Sequence, residues 1–348
     1  MRLYTCTEVF SRETEFGVPP GIDSAKGLDW RVFAEIKDAC ALVAEQAKFV
    51  RLEPAALETY AAGLELSALT APQYDAEHHL SGDPEAVLAY TVTLDTVNFG
   101  SGYFPYLVKR PGMSGYFTVA SALKDYFGAH GPLSAAALSA LTPEATAQIF
   151  GQDLLDPVRA ELVRHFTEAL QQLGSYLSER FSGSFVGLVE AADGSAERLA
   201  GLLAEMPYFQ DVSLYATEQG EVSVPLYKRA QITPSDLALA FGGEGWGAFG
   251  DLGALTIFAD NLVPHVLRVD GVLSYAPELA GCIGAGELVP AGSPEETEIR
   301  AVALHAVERL AALLPGVSAR DLDVYLWNRG QDPVYKTLPR HRTRTVFY

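Results

Sequence analysis

Residues 251–275 read DLGALTIFADNLVPHVLRVDGVLSY. Leu252, Leu255, Phe258, Ala259 and Leu262 recur at three-to-four spacing, the stripe of an amphipathic helix. Asp260 puts a carboxylate into that apolar pattern, and Pro264 follows four residues later. Proline has no N–H and its ring would clash with the carbonyl of residue 260, so a helix over 251–262 must kink or stop there. Pro264 then suits the first turn of a new helix. Taken alone, the segment leaves two readings of Asp260 open. It caps the helix after the break, or it is a working acid kept at a cleft, since Asp is rarely buried unless it is paired or functional.

Working outward, helical spacing dominates the chain. Phe33, Ile36, Cys40 and Val43 mark an amphipathic helix within 29–49. Residues 84–99, 115–128, 157–182, 195–206, 294–314 and 319–327 also have helical patterns. Ser293-Pro294-Glu295-Glu296 is a helix start, with a cap, a proline in the first turn and acids at the positive end of the helix dipole. Thr233-Pro234-Ser235-Asp236 has the same form. Two β-prone runs, DVSLYA (211–216) and VSVPLY (222–227), flank a turn-like TEQGE and predict a small β-hairpin, with Pro225 confining its strand to an edge. There is no fixed-period repeat and no low-complexity linker. The expectation is a single compact, mainly α domain over 1–348, with room for an N-terminal helical subdomain over about 1–80.

Charge narrows the function. Asp and Glu number 44 against 25 Lys and Arg, a formal charge of −19 on 348 residues. Nucleic-acid binding draws most of its affinity from cations that neutralise phosphates, and a surface this acidic repels a polyanion. A small nucleotide is a better substrate for such a protein than duplex DNA or intact RNA. RHRTR at 340–344 is a local exception. No apolar run is long enough to span a bilayer, and MRLYTCTEVFSRETEFG lacks the basic and apolar regions of a signal peptide. Cys6, Cys40 and Cys282 are far apart, with no ligand or disulfide spacing. A cytoplasmic protein that requires no metal or cofactor is the simplest expectation.

Four groups of polar residues stand out. Asp95, Asn98 and Phe99 share one face if the helix over 84–99 is continuous, and together suit a flat heterocycle: the ring stacks on Phe99, and the carboxylate accepts two N–H bonds from an amidine-like edge. The plainer alternative is a helix ending at Gly100 with Asp95 solvated. Lys228 lies between two apolar runs and could hold an anion in a cleft, or be half of a solvated Lys–Arg pair. Asp260 is the third group. In DLDVYLWNRGQ (321–331), Asp323, Trp327 and Arg329 lie close together, although a core helix ending at Gly330 accounts for them as well.

LDTVNF, YKRAQI, LTIFAD with Pro264 after it, EIRA (298–301), DVYLW and HRTR, in this order from about residue 75 onward, resemble the queuosine salvage proteins, queuosine 5′-phosphate N-glycosylase/hydrolases. Each motif is weak alone, and their ordered combination is specific. The resemblance implies a mainly α fold related to helix-hairpin-helix DNA glycosylases and hydrolysis of queuosine 5′-monophosphate to queuine and ribose 5-phosphate. It places the catalytic acid at Asp260 and an essential lysine at Lys228, and sets Asp95, Asn98 and Phe99 toward the 7-deazaguanine base. Tyr227, Asp323 and Trp327 fall in matching motifs as substrate contacts, with Arg329 two residues beyond DVYLW taken with them, and an upstream histidine falls on His78 or His79. The chain departs from many members at Asn261 and Leu262, where an aromatic and a basic residue are common, and at GSGYF after LDTVNF. Breaking an N-glycosidic bond builds positive charge on the ribose, which a fixed carboxylate shielded from water stabilises. Lys228 with Arg329, Arg342 or Arg344 would supply a pocket for the 5′-phosphate. Two rivals remain: a base-excision DNA glycosylase, which needs a basic groove, and a non-catalytic binding protein for a modified base. Neither a stable nucleic-acid complex nor a membrane is expected as a partner.

Overall fold

Side-chain caps fix where most of the long helices begin. In the computed structural model, which describes residues 31–65, 69 and 73–348, the chain runs through α1 (Val32–Gln46), β1 (Val50–Leu52), α2 (Pro54–Gly63), α3 (Pro84–Thr96), α4 (Gly115–His130), α5 (Ala135–Ser139), α6 (Pro143–Ile149), α7 (Pro157–Phe181), α8 (Phe185–Ala191) and α9 (Ala196–Ala204). There follow β2 (Val212–Thr217), β3 (Gly220–Pro225), α10 (Lys228–Ala240), α11 (Val263–Val269), β4 (Leu273–Tyr275), α12 (Pro277–Gly284), α13 (Pro294–Leu313) and α14 (Ala319–Arg329). Asp83, Ser114, Asp156 and Ser293 cap α3, α4, α7 and α13 by accepting backbone N–H bonds, and Ser318 with Asp321 forms a full capping box on α14. Each cap is worth ~1 kcal/mol.

The architecture is mainly α, as expected. Its only sheets among the described residues are two antiparallel pairs. One is β1 with β4, in register Val50 to Tyr275; the other is the hairpin β2–β3, in register Val212 to Pro225 and closing at Gly220, whose φ of 130° few other residues adopt. Two helices are buried on nearly all sides. α3 packs on α4, α7, α8 and α10, and α13 packs on α1, α2, α11, α14 and β1. Buried Glu298 on α13 ties this second group together, its carboxylate accepting from Phe49 N at 2.6 Å, Val50 N at 3.0 Å and the Tyr215 hydroxyl at 2.7 Å. No helix among the described residues is long and apolar enough to cross a membrane. Residues 31–348 form one compact unit. The stretch read against a signal peptide, Cys6 and part of the N-terminal subdomain considered over about 1–80 lie outside the described residues.

Three local expectations need correction. The helix over 251–262 is absent: a single 3₁₀ turn at Leu252–Ala254 leads into an extended run, Leu255 to Ala259, that is buried throughout. Such a segment must find hydrogen bonds away from a helix or sheet. It takes them from side chains: Thr256 N donates to Gln231 Oε1 at 3.0 Å, Phe258 N donates to Asp323 Oδ1 at 2.9 Å, and the Ala259 carbonyl accepts from Arg300 Nε at 2.9 Å. A short apolar run does not by itself separate a buried helix from a buried extended segment. Second, Thr233-Pro234 does not start a helix. α10 starts at Lys228 and carries Pro234 inside it, and Thr233 Oγ1 donates to the Arg229 carbonyl at 3.0 Å. Third, α3 ends at Thr96, so Asn98 and Phe99 lie beyond the helix and do not share its face with Asp95.

Candidate active site

Helices α3, α4, α10 and α14, the segments 73–79 and 258–262 and the stretch from Pro339 to Tyr348 all face one cavity of about 840 Å³. That volume is in the usual range for a small-molecule site.

Asp260 is on its wall and caps α11. Its Oδ1 accepts from Leu262 N at 2.6 Å and from Val263 N at 3.3 Å, with Pro264 in the first turn. Its hold on the start of α11 leaves it a place on the cavity wall as well. Its bonds among the described residues fall on Oδ1, which leaves Oδ2 for a ligand.

Lys228 faces the same cavity because of the backbone just before it. Tyr227 adopts the left-handed conformation, with φ 45° and ψ 42°, and turns the chain abruptly from the hairpin into α10. Lys228 N then donates to Asp211 Oδ2 at 3.1 Å, and its Nζ donates to the Asn98 carbonyl at 3.3 Å. Burial lowers the ammonium pKa, while the carboxylates of Asp260, Asp95 and Asp236 pull it back up. Arg229 points the other way. It is sandwiched between the rings of Phe99 and Phe209 and donates to the carbonyls of Thr96, Tyr208 and Val346. The solvated Lys–Arg pair is thereby excluded, since Lys228 is 6% exposed and Arg229 2%.

Arg300 braces together the segments that carry Lys228 and Asp260. This fully buried guanidinium forks onto Asp211, with contacts of 2.8 and 2.6 Å, while its Nε holds the Ala259 carbonyl. Asp211 receives Lys228 N, and Ala259 precedes Asp260, so one side chain sets the spacing between the lysine and the acid. A bidentate fork gives that spacing a fixed geometry.

The cavity holds further carboxyl groups in different protonation environments. Burial pushes Asp323 up to about 7, its bond from Phe258 N opposes this, and the Asp260 charge adds to it. Burial likewise raises Asp236 to about 6, against the pull of Lys228 and Arg320. Asp95 is completely buried behind this wall, not on it, and burial and the Asp236 charge both drive it well above the usual carboxylate range. Opposite, an aromatic wall includes Tyr74, His79, Tyr90, Tyr116 and Phe117. His79 Nδ1 meets the Asp75 carbonyl at 2.9 Å and Nε2 meets the Tyr116 hydroxyl at 2.7 Å. Burial lowers the pKa of His79, which favours a neutral ring donating through Nδ1 and accepting at Nε2.

The structure thus brings Asp260, Lys228, Asn98, Phe99, His79, Asp323 and Trp327 to one cavity. It separates the two histidines, since His78 pairs with Asp75 at 2.7 Å and packs on Phe117. Tyr227 and Arg329 are off the cavity wall, and Arg329 instead pairs with Asp270 at 3.1 Å. Of the tail arginines, Arg340 and Arg342 line the cavity with Lys109, while Arg344 lies over the rings of Tyr103 and Tyr106. Phe99 is 1% exposed and already has the Arg229 guanidinium 4.8 Å over its ring and Phe166 edge-on at 5.1 Å. Sequence reasoning missed Asp236, Tyr116, Asp211 and Arg300. A signal for Asp236 existed: Lys228, Ile232, Ser235 and Asp236 are spaced as one helical face. Among the described residues no cluster of three or more His, Cys, Asp or Glu is arranged to hold a metal ion.

A mainly helical protein that brings a carboxylate and a buried lysine to one nucleotide-sized, aromatic-walled cavity has the layout of a small-molecule enzyme. Its sequence matches the family model described as queuosine salvage protein over residues 78–348, and the chain belongs to that family. It is 40% identical over 315 residues to a Sphaerobacter thermophilus protein named queuosine 5′-phosphate N-glycosylase/hydrolase, a match covering 88% of this chain and 95% of the relative. Proteins of the same name from Dictyostelium discoideum and Bos taurus are 35% and 29% identical, covering 79% and 90% of this chain and 82% and 98% of their own lengths.

Proposed function

We propose that this protein hydrolyses the N-glycosidic bond of queuosine 5′-phosphate, releasing queuine and ribose 5-phosphate, as a cytoplasmic enzyme that returns queuine to tRNA modification. The observation that carries this reading is the placement of Asp260 and Lys228 on one cavity wall, braced by a single arginine. As the C1′–N9 bond lengthens, positive charge grows on the ribose ring. The Asp260 carboxylate, held rigidly by α11, stabilises that charge and orients the water that attacks C1′. Lys228 offsets the acids around it and is placed to hold a ribose oxygen. The aromatic wall provides a surface for the base, and Asp323 accepts or donates at the base edge according to its proton. Such a division of neighbouring carboxyls into ionised and neutral forms lets one site run both halves of an acid–base reaction.

Lys109, Arg340 and Arg342 give the 5′-phosphate a cationic rim, so the substrate is the free nucleotide and not modified tRNA, whose approach the −19 charge opposes. The test is kcat/KM for queuosine 5′-phosphate, queuosine and queuosine-containing tRNA, read as free queuine by mass spectrometry. The 5′-phosphate should be cleaved far better than the other two. Arg340→Ala with Arg342→Ala should raise KM for the nucleotide and leave the nucleoside unaffected. Tight binding with no queuine released would make the protein a carrier and overturn the reading.

A further inference from the structure

Asp95 is the most unusual group behind the cavity wall. It is 0% exposed, and neither carboxylate oxygen has a hydrogen-bond partner among the described residues. The neighbouring Thr233 hydroxyl is committed to the Arg229 carbonyl at 3.0 Å, and Lys228 Nζ goes to the Asn98 carbonyl. An ionised Asp95 would therefore lie in the interior beside the Asp236 carboxylate with at most the already committed Thr233 hydroxyl to turn toward it, a strongly unfavourable arrangement. One proton shared between the two acids, which are within hydrogen-bonding reach of each other, removes both the repulsion and the orphaned oxygens.

We propose that Asp236, on the cavity wall, and Asp95, behind it on α3, form a one-proton carboxyl pair that protonates the departing base. This rests on the glycosidase reading above and deepens it. The surroundings favour the assignment from every side. Lys228 on the same helix and Arg320 from α14 hold Asp236 partly ionised; Asp323 and Asp260 face it across Lys228; Tyr74, Tyr90 and Tyr116 close the aromatic side. Burial raises Asp236 to about 6, where a carboxylic acid can still give up its proton readily near neutral pH. The substrate chemistry calls for such an acid. In a 7-deazaguanine, position 7 is carbon, so the ring nitrogen that most easily takes a proton in ordinary purines is missing, and the leaving electrons must be caught at N3 or N9. In the step, the C1′–N9 bond breaks and its electron pair moves to the base. The pair's proton moves to a base nitrogen, water adds its oxygen to C1′, and a water proton moves to Asp260. Exchange with solvent then returns Asp260 to carboxylate and restores the proton on the Asp95–Asp236 pair. Asp236 is the catalytic residue here, and Asp95 is the positioning residue that stores the proton.

The experiment compares two substrates in wild type, Asp236→Asn and Asp260→Asn: queuosine 5′-phosphate, and 4-nitrophenyl riboside 5-phosphate, whose leaving group needs no proton. Asp236→Asn should lose at least ~100-fold in kcat on the nucleotide and less than ~5-fold on the nitrophenyl compound, while Asp260→Asn should lose heavily on both. Equal losses for Asp236→Asn on the two substrates, or no loss on the nucleotide, would overturn the proposal. Failure of the wild-type protein to cleave either would instead sink the glycosidase reading. The pH profile on the nucleotide gives an independent readout through Asp95→Asn. With one acid in place of two, no neighbouring carboxylate holds back the loss of the pair's last proton, so the alkaline limb should move to lower pH by about one unit; a limb that stays in place would refute proton sharing.

Discussion

Asp260→Asn separates the capping role of this side chain from its proposed role in catalysis. The cap bonds, from Leu262 N at 2.6 Å and Val263 N at 3.3 Å, need only an acceptor oxygen, and Asn serves as a cap about as well as Asp. What the fold loses is one negative charge at the start of α11, worth ~0.3–1 kcal/mol, or a melting shift of only a few degrees. The reaction loses the charge facing the ribose. If that resembles removal of another preorganised charge-stabilising group, the barrier rises by ~2.7–4 kcal/mol and kcat falls ~10²–10³-fold. KM should change little, because the group acts mainly in the transition state. Queuine release followed by chromatography, with thermal unfolding alongside, measures both effects. Asp260→Ala should show the same kinetic defect plus ~1 kcal/mol of lost cap stability. A kcat for the Asn variant within about threefold of wild type would reduce Asp260 to a cap and refute the reasoning.

Lys228→Met keeps the stem and removes the charge; kcat should fall at least ~10-fold, and the alkaline limb of the pH profile should move up, because Asp236 loses the cation that holds its pKa down. An unshifted limb would show that the lysine does not govern the acids. Arg300→Met strands Asp211 and Glu296 in the core and should cost ~3–5 kcal/mol in urea unfolding, whereas Arg300→Lys should keep more stability yet lose kcat, as it cannot both fork onto Asp211 and hold the Ala259 carbonyl. Asp323, raised to about 7 in the fold, stays protonated where the unfolded chain has already ionised; its contribution to stability is fully present below about pH 4 and is lost as pH rises through 7. Asp323→Asn, which keeps an acceptor for Phe258 N, should therefore melt higher than wild type at pH 8 and match it near pH 4; equal melting at both would contradict the assignment.

The helices were legible in the sequence where a cap met a regular stripe, as at Ser293-Pro294 and over 157–182. The hairpin was legible from its turn. The stripe around Leu255 misled because its periodicity is shared by a buried extended run, and what selects the extended form is remote: Gln231, Asp323 and Arg300 supply the hydrogen bonds, and no local pattern announces them. Pro234 misled for the opposite reason. The left-handed turn at Tyr227 starts α10 earlier than the proline signal suggests. Asp260 and Lys228 stood out as charges within apolar runs. Asp236 did not, because a TPSD string looks like a cap until its helix is known to start at Lys228. Arg329 drew notice beside Trp327, yet two residues along α14 turn it toward Asp270 and away from the cavity.

The Arg300 brace has a consequence for how the molecule comes into being. The segments that carry Lys228 and Asp260 are made before α13; Gln231 and Thr256 can already join them, but the brace on Asp211 and Ala259 forms only when that helix docks. Contacts between distant parts of a chain form late, after the loop-closure entropy has been overcome. A nascent or partly unfolded chain that lacks a docked α13 accordingly lacks the brace between the acid and the lysine. The ability to cut a glycosidic bond arises only with the finished fold, which protects a cell's nucleotide pool from half-made copies of the protein.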